Sequence, residues 1–77
     1  MSTIPTGVYR HYKGKFYLVL GEARHSETEE QMVVYQALYG EKGWWVRPLD
    51  MFLEWVQTPD GAVRRFEYVG EVLPDAQ

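Results

Sequence analysis

The order of apolar and polar positions divides the chain into short segments. From Gly7 to Tyr12, Val8, Arg10 and Tyr12 fall on one side and Tyr9 and His11 on the other, the two-residue period of a strand. Lys13-Gly14 marks a turn, because glycine takes positive φ at no steric cost. Over residues 15–25, Phe16, Leu18 and Leu20 share one face and Tyr17 and Val19 the other. A strand apolar on both faces is central or strongly bent, and Gly21 is placed for a bulge. Pro48 ends a strand over Trp44–Arg47 and suits the first position of a helix. Leu49, Phe52 and Val56 then form one stripe with Met51 and Trp55 beside it, which predicts a helical segment over 48–55. Thr58-Pro59-Asp60-Gly61 is a strong turn signal. A last strand over 62–69 sets Val63, Arg65, Glu67 and Val69 against Arg64, Phe66 and Tyr68.

Residues 26–39 carry two competing patterns. Ser26 with Glu29 three positions on is a capping box, and Gly40 fits a helix C-terminus. Against that, Met32–Tyr39 is rich in β-branched and aromatic residues, and the Gly40–Gly43 turn leads into Trp44-Trp45-Val46 as a hairpin would. The balance favours a loop over 26–31 and a strand over 32–39, with a helix as the alternative. Five short strands, tight turns and one helical turn predict a mainly β fold. Its expected form is a small, antiparallel, strongly bent five-stranded sheet or SH3-like barrel with one short helical segment. The domain is expected over 7–70, with a flexible N-terminus at 1–6 and a flexible tail at 71–77.

Composition sharpens this picture. The chain has 77 residues, enough for one small domain, and 3 Trp, 6 Tyr and 3 Phe. A domain of this size buries only about 60% of its unfolded surface, so large rings are needed for the core before they can serve a surface. Cysteine is absent, which removes disulfides, thiolate nucleophiles and thiolate metal sites. The net charge of −3 gives no whole-molecule attraction to phosphate backbones or anionic membranes, so nucleic acid is not the expected partner. That charge is uneven: Arg10, Lys13, Lys15 and Arg24 stand against Glu22 in residues 8–25, and Glu27, Glu29 and Glu30 follow. No apolar run approaches the roughly 18 residues of a membrane span, and the N-terminal residues lack a signal-peptide layout. A cytoplasmic location is therefore expected.

Four stretches carry a resemblance: Tyr9–Gly14 (YRHYKG), Ala23–Thr28 (ARHSET), Val33–Gly40 (VVYQALYG) and Trp45–Phe52 (WVRPLDMF). With the intervening residues, from Gly7 to about Glu67, the chain resembles the bacterial proteins grouped as domain of unknown function 1653. The resemblance implies a stand-alone β-rich domain of unassigned activity and carries over no catalytic residues.

The candidate chemistry is sparse. His11, His25 and Glu27 compose a nominal two-histidine, one-carboxylate set, and Ser26 and Thr28 stand beside them. Neighbouring side chains in a strand or turn point apart, so a turn capped by hydroxyls and carboxylates is the simpler reading. Arg47 lies in an otherwise apolar stretch. It either pairs with a carboxylate (Glu54, Glu27 or Glu29) or presents its guanidinium fork to an anionic ligand; Arg24 poses the same question. Trp44 and Trp45 face opposite ways on a strand, so one joins the core and the other is covered by the helical segment or left exposed beside Tyr9, Tyr35 or Tyr39.

The reading that follows is a non-enzymatic binding module. Its candidate site is Tyr9, His11, Arg24, His25, Glu27, Tyr35, Trp44, Trp45 and Arg47. The expected partner is a small anionic ligand or another protein, with no metal and no cofactor, and the chain is expected as a monomer or a homodimer. The alternatives are a small metal-dependent or hydrolytic enzyme centred on His25, Glu27 and His11, and a weak single-stranded nucleic-acid binder.

Overall fold

The computed structural model describes residues 4–73. Its elements run β1 (Gly7–His11), β2 (Phe16–Arg24), β3 (Gln31–Ala37), β4 (Trp44–Pro48), α1 (Leu49–Phe52), β5 (Trp55–Thr58), β6 (Gly61–Arg64) and β7 (Phe66–Gly70). Five strands form one antiparallel sheet in the order β4-β3-β2-β1-β7, and β5 and β6 form a separate hairpin. The fold is thus mainly β, a five-stranded antiparallel sheet with one short helix. The sheet runs from an edge at β4 to an edge at β7.

Local chemistry accounts for most of these elements. The β1–β2 turn closes with Gly14 at φ 108°, its N–H donating to His11 at 2.7 Å. The β2–β3 register shifts between Val19 and Gly21, which is the bulge Gly21 permits. Residues 31–37 are a strand because β3 is paired on both sides, with β2 and β4. Alternation buries Val33, Tyr35 and Ala37 on one face, a gain that local capping at Ser26 and Glu29 does not match.

Two expectations are corrected. The helical segment over 48–55 is a single turn, Leu49–Phe52. Leu53 N–H and Glu54 N–H close it, Glu54 C=O then accepts from Arg65 N–H at 2.9 Å, and Trp55–Thr58 pairs with β6. The strand over 62–69 is two strands. At Arg65 the chain leaves the hairpin, because its N–H bonds Glu54 and its C=O accepts from Tyr12 N–H at 3.0 Å. From Phe66 onward it pairs with β1.

The core lies between one face of the sheet and α1. Tyr9, Val19, Val33, Tyr35 and Phe66 line the sheet side, and Phe52 enters from α1 with no exposed surface. Its ring stacks on Phe66 at 4.2 Å between centroids and 4° between planes. Ile4 is also buried there; its N–H donates to the Glu22 carboxylate at 3.0 Å, and Pro5 C=O accepts from Tyr9 Oη at 2.8 Å. Residues 4 and 5 are therefore held against the core, although they fall in the terminus expected to be flexible. Residues 71–73 of the expected tail are exposed and outside any strand or helix, and residues 1–3 and 74–77 of the two ends lie outside the described residues. No helix among the described residues is long and apolar enough to cross a membrane.

Candidate functional site

Alternation along β1, β2, β3 and β7 puts His11, Tyr17, Tyr35 and Phe66 on the core face of the sheet. Their rings meet edge to face or tilted. His11 lies 4.9 Å from Phe66 and 6.2 Å from Tyr17, while Tyr17 lies 5.5 Å from Tyr35. Tyr39, just beyond β3, stands 5.5 Å from Tyr17, and the two hydroxyls share a hydrogen bond of 2.5 Å. Burial and that bond push the Tyr17 hydroxyl up to about 12, so it is a neutral phenol at ordinary pH.

Arg47 reaches into this group from β4. Its Nε donates to Tyr35 Oη at 3.4 Å, and its guanidinium sits 5.7 Å from the centre of the Phe66 ring. None of the carboxylates of the described residues forms an ion pair with it: Glu54 is taken by Arg65 at 3.0 Å and Glu29 by Arg24 at 3.9 Å. The expected pairing of Arg47 with Glu54, Glu27 or Glu29 is thus replaced by aromatic partners. Other cations gather nearby. Lys15 Nζ lies 5.0 Å over the Tyr39 ring. His11 is held below its ordinary range by burial and then by Arg65, Arg47 and Lys13. Its Nδ1 accepts from Lys13 N–H at 3.2 Å, so the neutral ring carries its proton on Nε2.

The other proposed site residues lie elsewhere. His25 follows the far end of β2, separated from His11 by the length of a nine-residue strand, up to about 30 Å at the usual rise. His25 Nδ1 accepts from Glu27 N–H at 3.1 Å and Thr28 N–H at 3.3 Å, and Thr28 Oγ1 accepts from Glu30 N–H at 3.1 Å. His25 and Thr28 therefore cap the β2–β3 loop. His11 and the pair His25 and Glu27 cannot share one ion or one reaction centre. Among the described residues no group of three or more ligating side chains converges as a metal requires. Tyr9 and Tyr35 are core residues at 3% and 5% exposure, so neither offers a ring face to a ligand. Only the Tyr35 hydroxyl, through Arg47, takes part.

Neither tryptophan of the Trp44–Trp45 pair is core. Trp44 is 67% and Trp45 59% exposed, where one buried indole was expected. β4 is a five-residue edge strand, paired on one side only by β3. Trp45 stands opposite Tyr35 on the core face, and Trp44 opposite Gln36 on the other.

The family model for a protein of unknown function, DUF1653, matches residues 7–68. The chain belongs to the DUF1653 family. The crystal structure of a DUF1653 protein from Bordetella bronchiseptica is similar to it, with 48% identity, a TM-score of 0.88, and coverage of 95% of this chain and 96% of that one. No curated protein matches.

In this DUF1653 domain the residues absent from the sequence-based candidate site are Tyr17, Phe66, Lys15 and Arg65, with Tyr39 named there only as a neighbour of an exposed tryptophan. Tyr17 and Phe66 were legible as members of strand faces. Their convergence depends on β7 returning beside β1, a long-range pairing that no local pattern encodes.

Proposed function

We propose that this domain is a non-enzymatic binding module whose ligand presents a carboxylate or phosphate to Arg47. The observation that carries the reading is a half-buried guanidinium without a carboxylate partner among the described residues. Leaving such a charge unpaired is costly, and an anion from outside would relieve that cost. Lys15 and the His11 Nε2–H add donors around it, and the Tyr17–Tyr39 hydroxyl pair adds two polar atoms. The rings supply an apolar wall.

The test is a titration of labelled protein with inorganic phosphate, citrate and short acidic peptides, followed by amide and guanidinium NMR. Shifts should gather at Arg47, His11, Tyr17 and Tyr39, and Arg47→Gln should abolish them while Arg24→Gln leaves them intact. Binding that survives Arg47→Gln would remove this reading. A protein partner is the second reading, favoured by the exposed indoles of Trp44 and Trp45 on an edge strand. Its mark would be an interface that loses affinity on Trp44→Ala and Trp45→Ala and is indifferent to Arg47→Gln.

A further inference from the structure

A second concavity lies where the β5–β6 hairpin meets β1 and β7. It encloses about 340 Å³ and is lined by Arg10, Tyr12, Trp55, Val63, Arg64 and Glu67 among others. That volume is at the lower end of the range for small-molecule sites. It is separate from the Arg47 group, because Arg10 and Glu67 are register partners on the face of β1 and β7 opposite His11 and Phe66.

The lining is unusual for a chain with an acidic balance. Arg10 and Arg64 contribute two cations against the single carboxylate of Glu67, and neither arginine forms an ion pair among the described residues. Arg64 is fixed in place. Its Nη1 donates to Leu53 C=O at 2.6 Å, and its guanidinium lies 4.2 Å over the Trp55 ring. Trp55 remains 58% exposed. The groove thus combines an anchored guanidinium, a second one on an exposed strand position, an accessible indole and a carboxylate acceptor.

We infer that this groove binds a nucleobase bearing a phosphate. The base stacks on the part of the Trp55 indole that Arg64 leaves exposed, Arg10 and Arg64 take the phosphate, and Glu67 accepts from an exocyclic amino group. Stacking needs only the π-face that every base has, and guanidinium forks match phosphate oxygens. The same chemistry occurs in a free mononucleotide and in single-stranded nucleic acid, and the two are separated by experiment.

Trp44→Phe with Trp45→Phe leaves Trp55 as the one fluorophore of its kind, and both replaced side chains are exposed. Adenosine monophosphate and a short oligo-deoxyadenylate are each titrated against that variant, and the indole fluorescence is followed. Quenching by the mononucleotide assigns a free nucleotide, and quenching by the oligomer alone assigns a nucleic-acid strand. In either case Arg10→Gln and Arg64→Gln should each weaken binding roughly tenfold or more, the loss expected for a charge-assisted hydrogen bond. Arg47→Gln should leave it unchanged, which separates this site from the first. Should the double variant fail to fold, the Trp55 indole N–H resonance of the parent protein gives the same readout. No response to either ligand, or a response unchanged in both arginine variants, overturns the assignment.

Discussion

At Arg47 a cation is held by a hydroxyl and a ring where a carboxylate was expected, and the difference is measurable. Truncating one partner of a buried ion pair costs several kcal/mol because the other charge is orphaned. Here Arg47→Met orphans no charge: it removes one cation–ring contact and the long hydrogen bond that the hydroxyl of buried Tyr35 accepts. The expected loss is about 1 kcal/mol by denaturant melt. A loss of about 3 kcal/mol or more would make Arg47 a structural residue and withdraw the ligand reading. His11 gives a second test at this scale. Burial and three cations hold its pKa below the ordinary 6.5, so between the two values the unfolded chain binds more protons than the folded one. Stability therefore rises with pH through that window and falls as the pH drops below about 6.5. His11→Gln should flatten this part of the stability profile, and an equal slope in the variant would assign the dependence elsewhere. Gly7 is a third case. Its φ is 131° and a Cβ there would sit 2.7 Å from Gly70 C=O, which is backbone and cannot swing aside. Gly7→Ala should cost roughly 2–4 kcal/mol, from strain and overpacking together, read as a lower denaturant midpoint.

Among the elements, α1 contributes most for its length. Four residues deliver Phe52 onto Phe66 and against Tyr9 and Tyr35, so the helix is a bracket for one ring. Phe52→Ala should destabilise by about 3–5 kcal/mol, and a loss below about 1 kcal/mol would show that the sheet face closes without it. The helix is also where local pattern and structure part. Leu49, Phe52 and Val56 fit a 3.6-residue stripe, and nothing between 48 and 58 breaks it. What ends the helix is distant: Arg65 N–H takes Glu54 C=O, and Gly61–Arg64 pairs with Trp55–Thr58. By contrast β1, the bulge at Gly21, β3, β4 and the Thr58–Gly61 turn are all readable, because alternation and turn chemistry are local. The candidate site divides the same way. Arg47 stands out as a lone charge in an apolar run, while Tyr17, Tyr39 and Phe66 join it only through strand order.

For the molecule as a whole, the rings are distributed against the usual economy of a small domain. Tyrosines and phenylalanines make the core, while all three tryptophans, Trp44, Trp45 and Trp55, are more than half exposed. Indoles are the largest apolar groups available, and a 77-residue chain that leaves them in water forgoes stabilisation it can hardly spare. Trp44 and Val46 share one face of the edge strand β4, Trp45 the other, and Trp55 lies beyond on the hairpin, so no single contact could cover all three. This distribution predicts that the dilute native protein emits like a solvated indole, that acrylamide quenches it nearly as well as the unfolded chain, and that unfolding moves the emission little while the circular dichroism changes fully. A native emission already shifted to the blue would show that the indoles are covered. If that shift fades on dilution while the Trp44→Ala variant lacks it at every concentration, the cover is a second copy of the chain across β4. The Arg47 and Trp55 sites would then have to be probed in the dimer, with only the hairpin indole free to report a ligand.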